Sequence, residues 1–261
     1  MAKYRNWGIA SILAAMLVLV VRGDLVITGA ELSGHVPGTP PSSSSLNTSL
    51  VSYWKMDESS GTRYDSEPTG TAQDLQDNAT VGYTNGIIGN AAYFISANSE
   101  SLTIPDSADL STGDISFSIA AWFKLDGVLN NQAIAARYGS SQEYLLRFQG
   151  AAKQVQFYVV SGGSVNILAT NVLSTNTWYF TVAVYNATNN TMYVSVDNKT
   201  QSTGTNTGPS DTTVEFSVGM RNSTDYFGGA IDEVGFWKRV LTSDEIAELY
   251  NSGSGKTCCP F

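Results

Sequence analysis

The chain has little of what most enzymes use for acid–base and metal chemistry. Its 261 residues include one histidine, His35, and two cysteines, Cys258 and Cys259, side by side. His35 lies in 33–49, a stretch of Pro, Gly and Ser that cannot bury apolar area and reads as an extended spacer. That position removes any Ser–His–Asp triad, Cys–His dyad or histidine-based zinc site from the folded part. Two cysteines make no disulfide framework, so stability must come from apolar burial, which a hydrophobic content of 42% can supply. Basic residues are scarce, 14 against 23 acidic, for a formal net charge of −9. Nucleic-acid binding needs clustered Lys and Arg to displace phosphate counterions, and it is excluded on that ground. Charged residues of all kinds reach only 14%. Ser, Thr, Asn and Gly fill the gaps between apolar runs, which suits the many turns of a β-sandwich surface.

Long apolar runs are missing as well. Residues 7–21, between Lys3 and Arg5 on one side and Arg22 on the other, make a run of 15 uncharged residues. A spanning helix needs about 20. The pattern of 1–23 reads as a helical secretory signal, cleaved after Gly23 or Ala30, or as an uncleaved signal anchor. Without it the chain keeps 11 basic and 23 acidic residues, net −12. A Pro/Ser-rich linker, 24–49, follows. The expected location is secreted or cell-surface, with membrane contact only through the N-terminal segment.

What is present is a series of short apolar segments with turn residues between them. They are 92–95, 101–104, 116–125, 132–137, 143–148, 155–160, 165–169, 178–185, 191–196 and 213–218. Several alternate: Phe117, Ile119, Ala121 and Phe123 share one face, as do Met192, Val194 and Val196. With no βαβ alternation, this predicts an all-β, two-sheet antiparallel sandwich over 50–252. Trp122, Phe148, Phe157, Trp178, Phe180, Phe216 and Phe236 are expected in its core, at about 150–250 Å² of buried area each. One short C-terminal helix is expected. Thr242 and Glu245 have capping-box spacing, Ile246, Leu249 and Tyr250 form an apolar stripe, and Gly253 stops it.

That helix follows Gly228-Gly229-Ala230-Ile231-Asp232-Glu233-Val234-Gly235-Phe236-Trp237, a strand entered through two glycines. Upstream stand Leu50-Val51-Ser52-Tyr53-Trp54-Lys55-Met56-Asp57-Glu58, then Tyr64-Asp65-Ser66, Asn85-Gly86-Ile87-Ile88-Gly89-Asn90 and Phe117-Ser118-Ile119-Ala120-Ala121-Trp122-Phe123. In this order the motifs resemble laminin G-like, concanavalin A-like jelly-roll domains over about 50–251. The resemblance implies a jelly roll and, as in many such domains, one Ca²⁺ at a sandwich edge. Mapped here, its ligands are Asp65 and Asp232, with backbone carbonyls completing the shell. The competing reading has Asp232 holding backbone amides or Arg239, with Glu233 facing solvent.

Glycoside hydrolysis needs two carboxyl groups on one cleft. The acid pairs here, Asp57-Glu58, Asp232-Glu233 and Asp244-Glu245, are adjacent in sequence, and adjacent strand residues point to opposite faces. Asp244 and Glu245 suit a helix start. No catalytic residue is therefore assigned and no enzyme is expected. The leading expectation is a calcium-stabilised extracellular domain that binds a glycan or a surface protein. The alternative is a structural spacer or assembly module, and a glycosidase ranks behind both. Tyr83, Asn98, Tyr138, Tyr144 and Tyr226 lie in or near turns where a sugar site would use them. Six Asn-x-Ser/Thr sequons, at Asn47, Asn78, Asn186, Asn189, Asn198 and Asn222, mark polar loops. The tail, 253–261, is expected to be flexible, with Cys258 or Cys259 open to an intermolecular disulfide.

Overall fold

In the computed structural model, residues 18–21, 24–27, 43–66, 71–128, 130–161 and 163–259 are described. The chain divides into two units, 1–39 and 40–261. In the first, Val18–Val21 pairs antiparallel with Asp24–Ile27. The expected signal helix falls outside the described residues except at its end, where Val18–Val21 is strand. No helix among the described residues is long and apolar enough to cross a membrane.

In the second unit the period-2 alternation builds two antiparallel sheets. One runs in the order Ser202–Thr205, Thr191–Val196, Trp178–Asn186, Phe117–Leu125, Gly229–Trp237, Asn90–Phe94, Gly82–Asn85, and Leu50–Trp54 also pairs with Gly229–Trp237. The other runs Ser164–Leu168, Gln154–Val160, Gln142–Gln149, Gln132–Tyr138, Phe216–Val218, Ser101–Ile104, Gln76–Asn78. The core lies between them. Phe117, Ile119, Ala121 and Phe123 meet Tyr144, Leu146 and Phe148 across it, as the alternation predicts. Phe117 sits at the centre, with ring centroids of Tyr144 at 5.0 Å and Phe236 at 5.9 Å. The all-β, two-sheet jelly roll is the observed architecture.

A second apolar layer covers the outer face of the larger sheet. The helix Ser243–Tyr250 lies there, with Tyr250 stacked on Trp122 at 5.8 Å. Thr242 and Glu245 form the capping box. The α-helix ends two residues earlier than Gly253 implies, at Asn251 in the left-handed region (φ 45°). Arg239 forks onto Glu245 at 2.7 and 2.8 Å, which leaves it no part in holding Asp232. Leu46, Tyr53, Trp237, Cys258 and Cys259 complete this layer.

Candidate functional site

Asp65 and Asp232 do different jobs. Asp65 is a backbone clamp. Its Oδ1 accepts from the Tyr53 N–H at 3.0 Å and its Oδ2 from the Gln73 N–H at 2.9 Å, fixing the chain that leaves the Leu50–Trp54 strand. Asp232 is fully buried, and its Oδ2 accepts from the N–H groups of Ile87 (2.8 Å) and Ile88 (3.2 Å). Asp57 holds the same turn from its other end, its Oδ1 accepting from Asn90 N–H at 2.8 Å. Gly86 is required there, since a Cβ would stand 2.5 Å from Asp232 Oδ2.

As cation ligands the two aspartates differ accordingly. Asp232 keeps one buried oxygen, Oδ1, with no hydrogen-bond partner among the described residues. Burial and then the neighbouring Glu233 push its carboxyl from 3.8 up to about 8. Asp232 Oδ1 is a single orphaned acceptor that one position of a hard cation's shell fits; Asp65, with both oxygens on amides, fits poorly. Among the described residues no group of three or more His, Cys, Asp or Glu has the arrangement to hold a metal.

Glu233 overturns the solvent-facing expectation. It is buried; its carboxyl accepts from the Tyr53 hydroxyl and, at 3.2 Å, from Thr257 Oγ1. The cause is a β-bulge. Against the Phe117–Leu125 strand the register slips between Asp232 and Gly235, with Glu233 at φ 49°. Ile231, Val234 and Phe236 point into the core. Asp232 and Glu233 therefore share the outer face, so sequence adjacency does not separate these two carboxyls. Burial, again first among the causes, raises the Glu233 carboxyl to about 7. Glu233 is closed over by Tyr53 and the tail, and Asp232 by the turn carrying Ile87 and Ile88, so both lie beyond reach of a polysaccharide.

An open concavity lies elsewhere. At one end of the sandwich the turn after Asn90–Phe94, the loop joining Phe117–Leu125 to Gln132–Tyr138 and the loop before Gly229–Trp237 surround a cleft of about 820 Å³. Both sheets contribute. Backbone bonds tie the loops together: Asp126 N–H donates to Gly228 O at 3.0 Å and Ala133 N–H to Asp225 O at 2.8 Å. Gln132 braces the floor, donating to Gly127 O (2.6 Å) and accepting from Gly228 N–H (2.9 Å). Gly229 must be glycine, because at φ 135° a Cβ would meet Lys124 O at 2.1 Å. Tyr93 and Tyr226 supply rings, and Asn130 and Asn131 supply amides. Exposed Asp126 accepts from the Tyr93 hydroxyl, a bond that raises the phenol's pKa. Asp225 is paired with Arg147 at 2.9 Å and Arg221 at 3.1 Å.

Of the residues expected at a sugar site, Tyr226 lines this cleft. Asn98 lies on the adjoining turn, bound to Glu100 at 2.9 Å. Tyr83 is exposed on the edge strand Gly82–Asn85. Tyr138 lies under Arg221, whose guanidinium is 5.2 Å from its ring centroid. Tyr144 is core, its hydroxyl on Leu110 O at 3.1 Å. Asp126, the cleft's free carboxylate, went unnoticed, although an acid before Gly127 between two strands is a turn signal. The cysteines bond to each other, Cys258 to Cys259, within the chain. That corrects the intermolecular expectation: the tail packs under Tyr53 and Trp237, with Cys258 N–H donating to Tyr53 Oη at 3.1 Å, which holds both sulfurs inside. The six sequon asparagines are exposed, Asn186 partly so.

A family model described as the concanavalin A-like lectin/glucanases superfamily matches residues 96–247. No curated protein matches the chain. Among solved structures, domain 4 of AbnA, a GH43 extracellular arabinanase from Geobacillus stearothermophilus in complex with arabinotriose, is similar. It has TM-score 0.61 and 17% identity, over 79% of this chain and 98% of that one. The binding domain of Paraclostridial Mosquitocidal Protein 1 is similar at TM-score 0.66 and 11% identity, over 80% of this chain and 53% of that one. The binding domain of botulinum neurotoxin DC in complex with SialylT gives 0.59 and 13%, over 79% and 52%. This chain thus spans about half the length of the two toxin domains. At these identities the likeness is one of fold.

Proposed function

This chain belongs to the concanavalin A-like lectin/glucanases superfamily, and from that premise we propose that it is a non-catalytic, extracellular glycan-binding domain. The observation that carries the proposal is the cleft at the sandwich end, where a carboxylate, side-chain amides and two tyrosines converge on an open space of about 820 Å³. Sugars present hydroxyl arrays and apolar ring faces. Carboxylates and amides meet the first, and tyrosine rings with wet hydroxyls meet the second. Two of the similar solved structures are complexes whose descriptions name arabinotriose and SialylT. Extracellular placement is supported by the sequence of 1–23.

Catalysis is not proposed. Hydrolysis by paired carboxyls needs an acid and a second carboxylate across the scissile bond. Asp225 is taken by two guanidinium groups, so Asp126 stands alone in the cleft. A structural calcium is proposed with Asp232 as its one carboxylate ligand, through the orphaned Oδ1; when bound, the ion would supply positive charge beside that buried carboxyl. The assembly-module alternative loses one motive, since the cysteines pair within the chain.

The test is a glycan array probed with the full chain, in calcium and in chelator, comparing parent with Tyr226→Ala. We expect binding to a defined glycan, weakened at least about tenfold by the loss of a central aromatic contact. No glycan above background, or an unaffected variant, would refute the cleft. Release of reducing ends would refute the non-catalytic assignment.

A further inference from the structure

We infer that the cleft selects uncharged glycans over acidic ones, and that Asp126 makes the distinction. The inference rests on the proposed glycan-binding reading and adds the class of ligand. Among the side chains that line the cleft none is Lys, Arg or His; the charged ones are Asp126 and Asp225. Their situations differ. Asp225 is matched by Arg147 and Arg221. Those two guanidinium groups also lie over other rings, Tyr158 at 5.0 Å and Tyr138 at 5.2 Å. They are committed outside the cleft and present no fork to a ligand anion. Asp126 has no cation within ion-pair distance among the described residues, and the one contact to its side chain is the Tyr93 hydroxyl at Oδ2.

An ionised carboxylate oriented by one hydroxyl has acceptor capacity left on its other oxygen. It takes charge-assisted hydrogen bonds from sugar hydroxyls, which are shorter and stronger than neutral ones. The amides set beside it add donors. Asn131 Oδ1 accepts from Gly150 N–H at 3.1 Å, which leaves its NH₂ as the available end. Such a set reads a neutral polyol well. A uronate, sialate or sulfate placed there meets an unpaired negative charge with no guanidinium to answer it, and like charges at contact distance repel. The net charge of −9 adds to the barrier at long range.

The experiment uses the full chain on an array of neutral glycans with their sialylated, uronate and sulfated counterparts at equal density. It compares parent, Asp126→Asn and Tyr226→Ala at low and high salt. The expected result is a preference of about tenfold or more for neutral members. Asp126→Asn should lose neutral affinity about fivefold and narrow the preference to less than about threefold. Asp126 is exposed, so the variant folds; independently, high salt should narrow the parent's preference by screening. If parent binds neutral and acidic glycans equally while Tyr226→Ala loses both, the selectivity is wrong and the cleft stands. If the preference survives intact in Asp126→Asn and in high salt, Asp126 is not the discriminator. If nothing binds, or Tyr226→Ala binds as parent does, the glycan reading falls and this inference with it.

Discussion

Removing one buried charge should stabilise the protein, and more so the higher the pH. Asp232 is fully buried, with its carboxyl raised from 3.8 to about 8. Between those values the folded chain holds a proton that the unfolded chain has released. The unfolded state therefore binds fewer protons, and stability falls as pH rises through the window. The contribution is intact below 3.8 and lost by pH above about 8. At about 1.4 kcal/mol per pH unit the window from 3.8 to about 8 is worth about 6 kcal/mol. Glu233, raised from 4.5 to about 7, acts in the same direction. Asp232→Asn keeps the acceptor for Ile87 and Ile88 and removes the charge. In chelator the variant should match the parent near pH 4 and melt about 10 °C or more above it at pH 8.5, at about 2–4 °C per kcal/mol. Calcium should close most of that gap in the parent and leave the variant unmoved. Thermal melts followed by circular dichroism from pH 4 to 9 decide it. A parent whose stability rises from pH 5 to 8.5 in chelator, or a variant with no pH-dependent gain, would refute the reasoning.

Three further outcomes are expected. Gly229→Ala must pass a Cβ through Lys124 O, so the chain should lose several kcal/mol or fail to fold, measurable by urea melts. Thr242→Ala removes the cap on the Ser243–Tyr250 helix and should cost about 1 kcal/mol in the same assay. Thiol titration of the denatured, unreduced chain should find no free thiol, with two released by dithiothreitol and a monomer on a non-reducing gel; a covalent dimer would contradict the Cys258–Cys259 bond.

The sandwich was legible because its buried strands alternate. The expected segments 101–104 and 191–196 match Ser101–Ile104 and Thr191–Val196 at both ends. Gln76–Asn78, Gly82–Asn85 and Ser202–Thr205 were not legible. They lie at or near sheet edges, carry polar side chains, and are strands only because a neighbour pairs with them. The bulge at Glu233 escaped for a related reason. Its one local sign is Gly235, where a Cβ would meet the Trp237 ring at 2.3 Å, and a glycine inside a strand marks such a place. Asp232 stands out through its motif, and the expectation that it holds backbone amides fits the Ile87 and Ile88 N–H groups, which the sequence does not single out. The cleft was hardest to see, since Tyr93 on the strand Asn90–Phe94, Asp126 and Asn131 on the loop 126–131, and Tyr226 on the loop before Gly229–Trp237 are brought together only by the sheet order.

The most direct test of the central claim is a crystal structure of the full chain soaked with the glycan that binds best on the array. The account predicts density for sugar between Asp126 and Tyr226, with a ring hydroxyl on the Asp126 carboxylate. Sugar bound instead on the outer face of the sheet that holds Gln142–Gln149, with the cleft holding only solvent, would contradict it.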